Sequence, residues 1–127
     1  MRLVIFAMML GLGIVTSSVA RAQEVILINV FEVPEGQVEE TIEAWEVARS
    51  FLSQQPGYVS TTLHRSITPD ARFELINVAV WSSPEAFRSA SERMVSEAIM
   101  PPVAGLRFSP ALYTVVRQDP SSGPDQP

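Results

Sequence analysis

Cysteine and lysine are both absent from this 127-residue chain, and it has a single histidine. Each shortage removes a class of chemistry. Without cysteine there is no disulfide scaffold, no thiolate nucleophile and no zinc–sulfur site. One histidine cannot build a histidine-rich metal centre. All nine basic residues are arginine and the net charge is −5, a poor match for phosphates, so nucleic acid is not an expected partner. There is no Gly-x-Gly-x-x-Gly, no phosphate loop and no Gly-x-Ser-x-Gly elbow. The longest apolar run, Leu3 to Val15, falls short of the roughly 20 residues a membrane-spanning helix needs.

That run has another use. Arg2 precedes it, and small and polar residues follow to Ala20-Arg21-Ala22. A positive start, an apolar middle and an A-x-A site predict a signal peptide over residues 1–22, cut after Ala22. The mature protein would then be periplasmic or secreted, with no membrane attachment. An uncleaved N-terminal anchor is the competing reading. Loss of Arg2 and Arg21 takes the net charge from −5 to −7. At the other end, residues 118–127 offer nothing apolar to bury and contain three prolines, which predicts a disordered tail. Residues 23–117 remain as one domain, small enough that burying a further face in a dimer would help it.

Glu24 to Val33 is rich in β-branched residues and reads as a strand, broken by Pro34-Glu35-Gly36. From Gln37 to Gln54, Val38, Ile42, Trp45, Ala48 and Leu52 recur at helical spacing, with acidic residues crowding the first turns where the helix dipole favours them. Gln55-Pro56-Gly57 stops that helix. Tyr58 to Ser66 and Phe73 to Trp81 read as an antiparallel hairpin. Ser82-Ser83-Pro84-Glu85 reads as a helix start, Ser82 the cap and Glu85 three residues on as in a capping box. The helix runs to about Ala98, and Ala111 to Arg117 reads as the last strand. The order predicts an α+β, ferredoxin-like βαββαβ fold, a four-stranded antiparallel sheet with two helices on one face.

Alternation sorts the strand side chains by face. Ile26, Ile28, Val30, Ile76, Val78 and Val80 are uniformly apolar and are expected under the helices, with Val59, Thr61 and Leu63. Val25, Leu27, Asn29, Phe31, Tyr58, His64, Leu75, Asn77, Ala79 and Trp81 are then expected on the open face. A surface so apolar, with a few polar groups set into it, calls for a second subunit, a ligand or both.

ILINVFEVPEG, a helix containing AWE, QQPGYVSTTLHRS, DARFELINVAVWSSPEAF and FSPALYTVV together resemble the antibiotic biosynthesis monooxygenase family. The resemblance covers Val25 to Arg117, and Asn77-x-x-x-Trp81 followed by Ser-Pro-Glu-Ala-Phe is its most specific stretch. It implies a homodimeric α/β barrel enclosing a pocket, and oxidation of a small aromatic or quinone-like compound by O2 with no flavin, haem or metal cofactor. It also implies catalytic roles for Asn77, as holder of a substrate carbonyl or enolate oxygen, and for Trp81, which would stack on an aromatic ring. Asn29, Phe31 and Phe87 are the expected substrate contacts. His64 is the candidate proton acceptor, histidine being the residue type that titrates near neutrality. Some aromatic-oxidising members carry a tyrosine where this chain has Phe87. The haem-degrading branch uses a histidine in the second helix, and Pro84 to Ala98 contains none, which disfavours haem degradation.

Plainer readings stand beside these. A tryptophan closing a strand is commonly core, a histidine near a strand end is commonly solvated, and cross-strand partners would satisfy Asn29 and Asn77 as well as a ligand would. The alternative function is accordingly a non-catalytic dimeric small-molecule-binding or stress-related module of the same fold.

Overall fold

The computed structural model describes residues 23–119; the expected leader, 1–22, and residues 120–127 of the expected tail lie outside the described residues. The elements are β1 (Val25–Glu32), α1 (Val38–Leu52), β2 (Tyr58–Arg65), β3 (Leu75–Trp81), α2 (Pro84–Ser96) and β4 (Arg107–Tyr113). Their order in the sheet is β2-β3-β1-β4, and every neighbouring pair is antiparallel. β1 and β2 therefore run the same way with β3 inserted between them, the split βαβ arrangement. The ferredoxin-like expectation holds, but the barrel does not. Among the described residues β2 and β4 pair only inward, with β3 and β1, so the sheet is open and both its edges are free.

Local chemistry explains the boundaries. Ser83, not Ser82, caps α2: its Oγ accepts the Ala86 N–H at 3.1 Å and Pro84 occupies the first turn, so Glu85 is one position too early to complete a capping box. α1 buries Thr41, Ala44 and Ala48, a stripe rotated from the expected one. Small residues allow close approach there, and the Thr41 hydroxyl is satisfied by donating to Gln37 O at 2.7 Å. Gly57 joins the two halves. It has φ +87°, a Cβ there would overlap Ala86 Cβ and lie 2.6 Å from Ser82 Oγ, and its carbonyl accepts the Ser82 N–H at 2.8 Å.

β4 begins at Arg107 rather than Ala111. Pro110 argues against a strand by composition, yet an edge strand tolerates it because one side of an edge has no ladder to complete. Val115 and Val116, expected in the strand, lie beyond its end and are exposed.

The assignment of faces is the larger correction. Val25, Leu27, Phe31, Leu75, Asn77, Ala79 and Trp81 are the buried strand positions, and this set faces the helices. Ile26, Ile28, Val30, Ile76, Val78 and Val80 are half-buried on the uncovered face. Uniform apolarity suggested a helix-covered core, but the helix side carries the larger, mixed set because a cavity lies there.

Candidate functional site

The cavity lies between the sheet and the two helices and holds about 200 Å³. β1 contributes Leu27, Asn29 and Phe31, β3 Asn77, Ala79 and Trp81, and β2 Tyr58 and Thr61; α1 and α2 close it with Trp45, Leu52, Phe87 and Met94 among others. The walls are thus mostly aromatic and aliphatic, with a few directed polar groups, the usual make-up of a small-molecule site.

Two amides form its polar centre. Asn29 and Asn77 are register partners on adjacent strands, which sets their side chains side by side on one face. Asn77 is 8% exposed, and Thr61 Oγ1 donates to its Oδ1 at 2.6 Å. The Nδ2 group is left as the free end of that amide, a donor on a cavity-lining side chain. Asn29 Oδ1 is buried with no partner in the protein among the described residues. An unmet buried acceptor costs roughly 1–3 kcal/mol, a cost that a donor on a bound molecule removes. Together the pair offers a donor and an acceptor in an apolar chamber, where polar contacts discriminate strongly.

Trp81 is 1% exposed and held edge-on by two rings, Tyr58 at 5.5 Å and Phe87 at 5.7 Å between centroids. Tilted and T-shaped pairs of this kind fix ring orientation. Phe31 is buried, 6.1 Å from Phe108, and lines the same space. The cavity therefore brings together Asn29, Phe31, Asn77, Trp81 and Phe87.

His64 is not among them. It pairs in register with Ile76, is exposed, and has Nδ1 3.3 Å from Ile76 O; the sheet separates it from the cavity. The reason is local. The β2–β3 register shifts between Tyr58 and Ser60, and one extra residue turns every later side chain to the other face. Tyr58 keeps company with Trp81, while Thr61 and Leu63, not His64, come round to the Asn77 side. Thr61 was missed as a polar contact for the same reason, since strict alternation separates it from Tyr58. No carboxylate or imidazole lines the cavity among the described residues, so its own groups are suited to binding and stabilising charge rather than to accepting a proton.

The profile of the family described as antibiotic biosynthesis monooxygenase matches residues 24–98. Deoxynogalonate monooxygenase of Streptomyces nogalater is 40% identical over 70 residues, 54% of this chain and 56% of that protein, so the match spans little more than half of the curated relative. A candidate monooxygenase from Shewanella loihica PV-4 superposes with TM-score 0.71 at 45% identity, covering 76% of this chain and 98% of that one. SnoaB, a cofactor-independent oxygenase from Streptomyces nogalater, does so with TM-score 0.58 at 27% identity, covering 78% and 99%. MhuD, a haem-degrader of Mycobacterium tuberculosis, solved with manganese protoporphyrin IX bound, gives TM-score 0.59 at 26% identity over 75% and 97%.

Proposed function

The chain belongs to the antibiotic biosynthesis monooxygenase family, and from that premise we propose that it is a cofactor-independent monooxygenase oxidising a small aromatic or quinone-like compound with O2. The observation that carries this is the Asn29–Asn77 amide pair beside Trp81 in a mostly apolar cavity between sheet and helices. SnoaB, similar over 78% of this chain, is an oxygenase without a cofactor.

The chemistry asks little of the protein. A substrate that ionises to an electron-rich carbanion or phenolate itself passes electrons to O2. One oxygen atom becomes a carbonyl on the carbon that loses two hydrogens, and the other leaves as water. Asn77 Nδ2 donates to the substrate oxygen that carries the negative charge, the oxyanion role. Asn29 Oδ1 accepts from a substrate hydroxyl. Trp81, Phe31 and Phe87 hold the ring and exclude water. His64, across the sheet, has no part in this reading.

We assign residues 23–117 to the functional domain, exported behind a leader at 1–22, and infer a homodimer formed through the half-buried β-branched face around Ile28 and Val78. An apolar surface of that kind on a small domain is unfavourable in water.

Oxygen uptake by the purified protein, with no cofactor added, against anthrones, quinols and flavonoid-like phenols tests the activity. Turnover is expected with one class at least, and Asn77→Ala should lower kcat about 100- to 1,000-fold, as loss of one oxyanion donor does. No uptake with any class, and an Asn77→Ala change confined to stability, would favour the non-catalytic binding module. The likeness to MhuD makes haem binding the other reading to exclude. The only histidine lies outside the cavity, so a haem titration should give no shifted Soret band.

A further inference from the structure

Arg49 is the only formally charged side chain lining the cavity among the described residues. It stands on the inward stripe of α1 with Trp45, Ala48 and Leu52, where the helical spacing calls for an apolar residue. A guanidinium carries five N–H donors, and among the described residues Nε alone is engaged, with Glu46 Oε2 at 2.9 Å. That pair is largely solvated, the two side chains being 39% and 53% exposed, so solvent screens it and it competes weakly for the cation. The protein as a whole is acidic, with net charge −5. Within the cavity, Arg49 supplies the one positive charge among the described lining residues, and no carboxylate lines the wall beside it.

We propose that Arg49 is a specificity-determining anion subsite, and that the substrate is an aromatic acid. Its carboxylate is held by the Nη groups of Arg49 on the helix wall while its oxygenated ring end meets Asn29 and Asn77 on the sheet. This rests on the monooxygenase reading for its site and deepens it by naming the substrate class. Arginine suits the task because its planar fork matches a carboxylate with two parallel hydrogen bonds.

Calorimetric titration of the full chain with 6-hydroxy-2-naphthoate and with its methyl ester isolates the charge, since the two share ring and hydroxyl. The acid is expected to bind at least about tenfold more tightly than the ester, the scale of one charge-assisted contact. Arg49→Gln should remove that advantage and leave ester affinity unchanged, which also reports an intact fold. Glu46→Gln, which releases the guanidinium, should raise acid affinity and not ester affinity. Equal binding of acid and ester, an advantage that survives in Arg49→Gln, or a fall in acid affinity in Glu46→Gln would each overturn the subsite and leave the cavity reading standing. Binding of neither compound would overturn both.

Discussion

In the proposed chemistry Thr61 acts through Asn77 and not on the substrate. Its hydroxyl donates to Asn77 Oδ1 at 2.6 Å, an arrangement that leaves Nδ2 as the end of the amide available to a ligand. Thr61→Val keeps the shape and removes the donor, so Asn77 gains freedom to turn. We expect kcat to fall about tenfold with KM nearly unchanged, stability to fall by about 1 kcal/mol, and Thr61→Ser to restore turnover. A stability loss without the kcat effect would reduce Thr61 to packing. Asn77 and Trp81 were legible because an amide amid apolar strand residues stands out, and so does a tryptophan four positions on. Thr61 and Arg49 were not. A threonine in a strand is ordinary, and an arginine on a helix is ordinary until its neighbours on the stripe are known to face a chamber.

The elements themselves were readable from their punctuation. Pro34-Glu35-Gly36, Gln55-Pro56-Gly57 and Ser82-Ser83-Pro84 each mark a real boundary, because a fixed or left-handed φ and a missing N–H act locally whatever the tertiary context. Gly57 carries most at this scale. Its positive φ and its contact with the start of α2 leave no room for a side chain, so Gly57→Ala should cost about 2–3 kcal/mol through strain and overlap, measured by urea denaturation. A loss below half a kcal/mol would mean that the junction relaxes freely. What local rules missed was the start of β4, which Pro110 disguised as loop, and the shift in β2, which leaves no mark on composition.

At the scale of the molecule, apolar patterning identified two sheet faces but not which one the helices cover. Binary pattern equates the most uniformly apolar face with the core, whereas a face that lines a binding cavity must carry amides and aromatic rings. The β-branched face is half-buried and carries no helix. If two copies meet there, Val78→Asp should convert the dimer to monomer in size-exclusion chromatography with the cavity side unchanged; an unaltered elution volume would place any association elsewhere. The shift between Tyr58 and Ser60 has a bearing on how the chain finds this state. Were β2 to zip onto β3 one residue out of step, His64 and Thr62 would be driven into the greasy chamber and Leu63 turned out to water. Such a mispaired hairpin is penalised as soon as the helices dock, so the kink acts as a proofreading mark for strand alignment during folding.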